Sequence, residues 1–198
     1  MAYIQTIPHE EATGLLKEVY DKELEDSGVV DNGVRAFSLR PAAQAAWQQL
    51  RDSIQSNMDP RRYELVTLAA AASLRCSYCA LAHGAILVSK FFSAEQVEAL
   101  TRDYHHAGLE PAEVAMMAYA EKIARHAYKV TPEDIDGLRA HGFSDTDILD
   151  VALTAAARSF LSKVLDAIGV EPDDWFMDLE PELRQALTVG RPFEEHSR

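Results

Sequence analysis

The chain has 198 residues, which suits one compact domain or a domain with a helical extension. Hydrophobic residues make up 47% of it while Gly (9) and Pro (8) are sparse, a balance that favours helices. The formal charge of −13 repels phosphate backbones and anionic head groups, so we expect neither a nucleic acid nor a membrane partner.

Helical periodicity covers most of the chain, and no segment alternates like a strand followed by a hairpin turn. An extended arm ends at Pro8. The predicted helices then cover, in chain order, residues 9–26, 34–56 with an interruption at Pro41, 61–90, 93–104, 111–128, 132–142, 144–169 and 181–188. The fold class is therefore predicted to be all-α.

Several of these helices have recognisable starts. Asp59 before Pro60 predicts an N-cap followed by the first helical residue. Ser93 and Ser144 each have a Gln or Asp three residues later, which is typical of a capping box. We expect one compact unit, in which residues 1–55 form a helical arm or lid on a redox domain of residues 56–198.

The N-terminus lacks the basic and apolar regions of a secretory signal. The longest apolar stretch, residues 65–74, is about half the length of a membrane-spanning helix. A cytoplasmic protein is expected.

Two cysteines, Cys76 and Cys79, are the only ones in the chain. On a helix they share one face with His83, four residues after Cys79. A nearby histidine or a helix N-terminus lowers the pKa of a cysteine, and the thiolate is the reactive form. This arrangement favours a redox pair in which one sulfur attacks and the other closes a disulfide.

Glu64 lies among apolar residues twelve positions before Cys76. Burial of a carboxylate there requires a partner, and His83 is the obvious one. In one straight helix the two residues would lie about 28 Å apart. Periodicity alone allows such a helix through Cys76, but a Glu64–His83 contact requires the chain to turn between about Leu74 and Cys76.

Other interpretations of these residues remain open. The cysteines could be buried structural thiols, or together with His83 three of the four ligands of a zinc site. The adjacent His105 and His106 point to different sides of a helix and are better explained as a solvated helix end than as a metal pair. His9, His126, His141 and His196 receive no role. Large aromatic residues favour the core or a subunit interface, although one could wall the thiol site: Trp47, Trp175, Phe91, Phe92 and Phe160.

The spacing Glu64-x11-Cys76-x2-Cys79-x3-His83 resembles the active-site motif of the alkylhydroperoxidase D-like group within the carboxymuconolactone decarboxylase family. Residues 74–85, LRCSYCALAHGA, are most similar to the branch of peroxidase-related enzymes. Similarity to the same family is weaker outside this segment and includes the arm at Ile7-Pro8 and residues 138–145 and 166–170.

The resemblance implies an all-helical fold assembled into trimers or hexamers, with no cofactor and no metal. In that family Glu64 and His83 would form a relay, through water, that deprotonates Cys79. Cys79 would attack an organic hydroperoxide and become a sulfenic acid, and Cys76 would protonate the leaving group and close the disulfide. A lipoyl group or a small redox protein would reduce it.

Two positions depart from the family's pattern. Tyr78 stands where some members have a histidine, so a second base for Cys76 is missing, and Ser162-Lys163 stands where the C-terminal helix often has Asn-Arg. Two other functions are also considered. One is a lyase or decarboxylase of the same superfamily. The other is a non-enzymatic helical oligomer that senses metal or redox state.

Overall fold

The structure, a computed structural model, describes residues 2–192 as ten α-helices joined by short turns and 3-10 segments. None of these residues is in a strand, so the all-α prediction is confirmed. The helices are α1 (Gly14–Ser27), α2 (Asn32–Arg35), α3 (Pro41–Gln55), α4 (Pro60–Ser73), α5 (Ser77–Lys90), α6 (Ala94–Asp103), α7 (Pro111–His126), α8 (Pro132–Ala140), α9 (Asp145–Ala167) and α10 (Pro181–Leu187).

The predicted helix starts are present. The Asp59 carboxylate accepts a hydrogen bond from Arg62 N at 2.9 Å and caps α4. Ser93 and Ser144 begin α6 and α9 with complete capping boxes. These local signals fix where helices begin independently of tertiary packing, which is why the sequence is sufficient to locate them.

Two predicted helices are shorter than expected. Residues 9–11 form a separate 3-10 turn, and α1 begins only at Gly14 because Thr13 is extended. The predicted 34–56 helix is divided into α2 and α3, and the break lies directly before Pro41. Arg40 adopts φ −144° and ψ 63°, as expected for a residue whose helical conformation is hindered by the following proline.

Helix α4 is at the centre of the molecule. Every residue from Tyr63 to Ala71 is buried, and α4 packs against α5, α7 and α9. A helix that is apolar around its whole circumference is suited to such a position. Its one acidic residue in this stretch, Glu64, is 4% exposed.

The chain turns between α4 and α5, as the Glu64–His83 contact required. Arg75 adopts the left-handed conformation with φ 60°, a position that usually favours glycine. Cys76 N then donates to Ala71 O at 3.0 Å and closes the end of α4. The two helices consequently form an antiparallel hairpin with the cysteine motif at its bend.

The N-terminal residues have a small apolar cluster of their own. Leu16, Val19, Tyr20 and Val30 are its largest buried members. Helix α1 packs on α3, and α3 packs on α9. The division of the chain at residue 55 stays a prediction.

Among the described residues, no helix is both long and apolar enough to cross a lipid bilayer.

Candidate active site

The two cysteines occupy different positions at the start of α5. Cys76 is the N-cap residue with φ −92° and ψ 98°, and Cys79 lies in the first turn of the helix. Both are unbonded thiols, with exposed fractions of 0% and 1%. The amide groups of a helix N-terminus favour negative charge, so the local structure alone favours a thiolate at Cys79.

Glu64 and His83 are in direct contact across the α4–α5 hairpin. The distance from His83 Nδ1 to Glu64 Oε2 is 2.6 Å, and both side chains are buried. Because an ionised carboxylate only accepts hydrogen bonds, Nδ1 donates and Nε2 is the nitrogen that can take a proton. The structure thus brings together two residues that are nineteen positions apart in the sequence.

A third charged side chain belongs to this cluster, and the sequence analysis did not identify it. Arg158 of α9 is 4% exposed, and its Nη1 donates to Cys79 Sγ at 3.6 Å. The centre of its guanidinium lies 5.9 Å from the ring of Trp47. Trp47 is therefore one aromatic residue, among those named in the sequence, that lies beside this cation.

Helix α9 places three polar residues along the cysteine pair. Arg158, Ser162 and Asp166 follow one another at four-residue spacing and so lie on one face of the helix. Ser162 is fully buried, and its Oγ has no hydrogen-bond partner among the described residues. Asp166 is half-buried. On this face of α9, the cation of Arg158 lies at Cys79 and the carboxyl group of Asp166 lies toward Cys76.

These surroundings separate the two thiols in acidity. A hydrogen bond from Cys76 and the positive charge of Arg158 hold the pKa of Cys79 well below its ordinary value, against the effect of burial. The pKa of Cys76 is raised by its contact with Cys79, by burial and by the negative charge of Asp166. The pair is therefore poised as a Cys79 thiolate beside a Cys76 thiol.

Tyr78, between the two cysteines, is anchored outside the hairpin. Its hydroxyl donates to Asp173 Oδ2 at 2.6 Å and accepts from Gly33 N at 2.9 Å. A Cβ atom at Gly33 would lie 2.9 Å from this hydroxyl, so only glycine permits the approach. Asn32 N donates to Asp173 Oδ1 at 2.8 Å, and burial raises the pKa of Asp173 to about 6.

The C-terminal residues hold the same bend from the other side. Ser77 Oγ donates to Arg191 O at 2.9 Å and accepts from Gly190 N at 3.0 Å. Arg75 Nε donates to Val189 O at 3.2 Å. Segments far apart in the sequence therefore fix the conformation of the motif.

The other histidines considered in the sequence lie elsewhere. His105 and His106 are exposed on a 3-10 turn, and His106 Nδ1 lies 2.6 Å from Asp103 Oδ2. Within residues 2–192, no three His, Cys, Asp or Glu side chains are arranged as a set of metal ligands. His196 lies outside the described residues.

A cleft of about 370 Å³ opens between α4, α6 and α7. Its polar lining includes Tyr104, Glu121 and Arg125. These three are already partnered, because Tyr104 Oη donates to Glu121 at 2.8 Å and Arg125 pairs with the same carboxylate at 3.2 Å. The cleft contains neither cysteine, so its size is no guide to where the chemistry takes place.

One known family model covers the segment that carries this site. The model of the carboxymuconolactone decarboxylase family matches residues 41–122, which include all four residues of the motif. No curated protein sequence matches the chain significantly. The matching model is that of the family which the cysteine motif resembles.

Solved structures share the fold at low sequence identity. A peroxidase-related protein from Ralstonia eutropha JMP134, described as an alkylhydroperoxidase AhpD core, superposes with a TM-score of 0.82 at 24% identity, covering 88% of this chain and 94% of that one. A peroxidase-related protein from Silicibacter sp. TM1040 gives 0.76 at 22% identity, with 88% and 90% covered.

The debrominase Bmp8, solved in complex with 2,3,4-tribromopyrrole, gives a TM-score of 0.73 at 18% identity, with 93% of this chain and 95% of that one covered. At these identities the likeness establishes the alkylhydroperoxidase-like fold. The activity has to be argued from the residues of this chain.

Proposed function

We propose that the protein, whose residues 41–122 match the model of the carboxymuconolactone decarboxylase family, is a thiol-dependent peroxidase that reduces organic hydroperoxides. Cys79 is the attacking residue, Cys76 the resolving residue, and Glu64 and His83 the relay that takes the proton of Cys79. The observation that carries the proposal is the contact of Arg158 Nη1 with Cys79 Sγ at 3.6 Å, in the first turn of α5, while Cys76 lies at the helix cap.

In the first step the Cys79 thiolate attacks one peroxide oxygen. A sulfur–oxygen bond forms, the oxygen–oxygen bond breaks, and Cys79 becomes a sulfenic acid while the substrate leaves as an alkoxide. The alkoxide takes the proton of Cys76 and is released as an alcohol. Cys76 can supply this proton because its raised pKa keeps it a thiol at neutral pH.

In the second step the thiolate of Cys76 attacks Cys79 and displaces the sulfenic oxygen, which leaves as water with the proton that His83 took from Cys79. The product is a Cys76–Cys79 disulfide, and the sulfurs have supplied the two electrons that reduced the peroxide. A dithiol, such as a lipoyl group or a small redox protein, restores both thiols by thiol–disulfide exchange.

The relay is supported by the charges of the buried cluster. Arg158 and Glu64 cancel each other in charge when Cys79 is a thiol and His83 is neutral. Moving one proton from Cys79 to His83 creates an additional ion pair and leaves the net charge at zero. A transfer that adds no net charge to a buried site avoids the largest part of the desolvation cost.

Access to the sulfurs requires local opening, since both cysteines are almost completely covered. The hydrogen bonds that hold the covering segments at the bend are few: those of Ser77 with Gly190 and Arg191, those of Tyr78 with Gly33 and Asp173, and that of Arg75 with Val189. Segments held by a few hydrogen bonds open more readily than packed helices.

The proposal is tested by thiol counting and intact mass after a slight excess of cumene hydroperoxide. In the wild type, both free thiols are expected to disappear and the intact mass to decrease by two hydrogens, as formation of one disulfide requires. The Cys76→Ser variant is expected to trap a sulfenic acid on Cys79, whereas Cys79→Ser is expected to react much more slowly. Unchanged thiols in the wild type would overturn the peroxidase proposal.

A second substrate class merits the same assay, because the fold is shared with a debrominase. A dithiol can also supply the two electrons that replace a carbon–bromine bond by carbon–hydrogen. Cys79-dependent release of bromide from 2,3,4-tribromopyrrole by a protein that does not consume cumene hydroperoxide would favour this function.

Two other outcomes would favour the remaining alternatives. Activity toward a small acidic ring compound that survives replacement of both cysteines would favour a lyase. Zinc that is present in the purified protein and lost when the thiols are blocked would favour a sensor.

We also propose that the chain self-associates. Leu149, Leu153 and Phe160 of α9 are 56%, 40% and 49% exposed and lie along one side of the helix. Exposed apolar side chains in a row are typical of interfaces. Light scattering is expected to show a trimer or hexamer that Leu153→Lys weakens, and a monomer at high concentration would contradict this.

A further inference from the structure

Arg158 is a buried cation without a carboxylate partner. It is 4% exposed, and no Asp or Glu among residues 2–192 lies within ion-pair distance of it. Its only hydrogen bond within these residues is the one from Nη1 to Cys79 Sγ at 3.6 Å. Its Nε is fully buried and has no partner.

Such an arrangement is unfavourable for folding alone. A buried charge that lacks an opposite charge costs several kcal/mol, and a buried unpaired N–H group adds to this. The nearby carboxylate of Glu64 is already bound to His83. The anion that faces Arg158 is therefore the thiolate of Cys79.

We propose that Arg158 is a catalytic residue of the Cys79 site, whose guanidinium holds the attacking thiolate through Nη1 and stabilises the departing alkoxide with its remaining N–H groups. This inference deepens the proposed peroxidase function and rests on it. It concerns a residue on α9, outside the matched segment of the family.

The role follows from where negative charge moves. As the sulfur–oxygen bond forms, charge leaves Cys79 Sγ and appears on the oxygen that is breaking away. Cys79 Sγ lies 3.6 Å from Nη1, and in the peroxide the departing oxygen is bonded directly to the oxygen that this sulfur attacks. Arginine has five N–H donors in a fixed plane and remains charged, so one side chain serves both anions without taking a proton from either. The alkoxide is protonated by Cys76, as above.

Ser162 adds a neutral donor on the same face of α9. Its buried hydroxyl has no partner and lies one helical turn from Arg158, toward the cysteines. A hydroxyl can donate to a thiolate but gives no net charge to the site. Its contribution is therefore expected to be smaller than that of Arg158.

The test compares two reactions of Cys79 in the full-length protein. One is alkylation by iodoacetamide, which needs the thiolate only. The other is oxidation by cumene hydroperoxide, which needs the thiolate and a leaving oxygen. Arg158→Met removes the charge at similar size, and Lys163→Met is the matched control because it makes the same charge change on the exposed side of α9.

For each variant, the rates of alkylation and oxidation are divided by the fraction of Cys79 that is thiolate, which is found from the pH dependence of alkylation in that variant. Loss of the cation raises the pKa of Cys79, and a more basic thiolate is intrinsically more nucleophilic. The alkylation rate per thiolate is therefore expected to stay equal or rise in Arg158→Met. The oxidation rate per thiolate is expected to fall about 10–100-fold, the effect of a charged hydrogen bond lost in the transition state.

Lys163→Met is expected to match the wild type in both reactions. Two further variants guard against a folding defect in Arg158→Met, which circular dichroism will reveal. Arg158→Lys keeps the charge and should recover part of the oxidation rate, and Ser162→Ala should lower that rate a few-fold. An oxidation rate per thiolate equal to that of the wild type in Arg158→Met, or in both Arg158→Lys and Ser162→Ala if Arg158→Met does not fold, would overturn the inference.

Failure of the proposed function gives a different result. If the protein is no peroxidase, wild-type Cys79 will alkylate with a low pKa but will not be oxidised by cumene hydroperoxide. If only the role of Arg158 is wrong, the wild type will be oxidised and the Arg158 and Ser162 variants will be oxidised equally well per thiolate.

Discussion

Cys79 and Cys76 are three residues apart, yet their surroundings differ in charge. Cys79 lies in the first turn of α5 and contacts the guanidinium of Arg158. Cys76 lies at the helix cap, and the negative charge of Asp166 acts on it. Two chemically identical side chains thus become a nucleophile and an acid.

The different surroundings of the two cysteines show that the motif alone does not decide which sulfur reacts. Spacing places both cysteines and His83 on one helix, but the charges that distinguish them come from α9, about eighty positions later. The order of attack is consequently a property of tertiary packing. It can be reversed or weakened by substitutions that leave the cysteines untouched.

The largest expected effect on this difference comes from the relay. Glu64→Gln removes the charge that orients His83 and stabilises its protonated form, so oxidation of Cys79 by cumene hydroperoxide is expected to slow by about 100-fold at neutral pH. Rapid-mixing kinetics with the thiol consumption as readout measure this. Glu98→Gln on α6 is the control, and equal rates for the two variants would remove Glu64 from the mechanism.

A second prediction concerns the anchor of Tyr78, which lies between the two sulfurs. The folded-state pKa of Asp173 is about 6 against an ordinary value of 3.8, so the folded protein holds a proton that the unfolded chain has lost in this interval. The contribution of Asp173 to the free energy of unfolding therefore decreases as pH rises from about 4 to about 6.

Denaturant titrations across that interval measure the contribution. Asp173→Asn is expected to remove a pH-dependent part of about 1–3 kcal/mol from the free energy of unfolding. Asp174→Asn, which changes the exposed neighbouring carboxyl, should leave the pH profile as in the wild type. Identical profiles for wild type and Asp173→Asn would contradict the prediction.

The smallest expected effect is at Cys76. Asp166→Asn removes the negative charge that opposes ionisation of this thiol, so the pKa of Cys76 should fall. Alkylation of Cys76 in a Cys79→Ser background is then expected to accelerate severalfold at a fixed alkaline pH. Asp150→Asn, farther along α9, should not change it. A slower reaction in Asp166→Asn would show that the carboxyl acts as a base rather than as an opposing charge.

Much of the fold was predictable because its signals are local. Capping boxes at Ser93 and Ser144 and the Asp59-Pro60 start depend on neighbouring residues only, and the α4–α5 turn followed from the need for Glu64 to reach His83. The predicted helices differ most from the observed ones at Thr13 and Arg40, where an extended residue or a following proline shortens them, and in residues 61–90, which divide into α4 and α5.

The rest of the site depends on contacts between distant parts of the chain. Arg158 appears in the sequence as one more residue of an alanine-rich helix, and no spacing rule connects it to Cys79. The one available signal was that Arg158 is the only charged residue in the stretch 151–161 of α9. The anchoring of Tyr78 by Gly33 and Asp173 likewise joins three segments whose approach depends on the packed fold.

The central claim, that Cys79 is the thiolate and Cys76 the thiol, is tested most directly by the pH dependence of alkylation at each residue. Reduced protein is treated briefly with iodoacetamide at a series of pH values, and the labelled peptides are quantified by mass spectrometry. Cys79 is expected to be labelled at pH values well below 9.0, the ordinary pKa of a cysteine thiol, while Cys76 remains unlabelled at the same pH. Preferential labelling of Cys76, or the same pH profile for both residues, would contradict it.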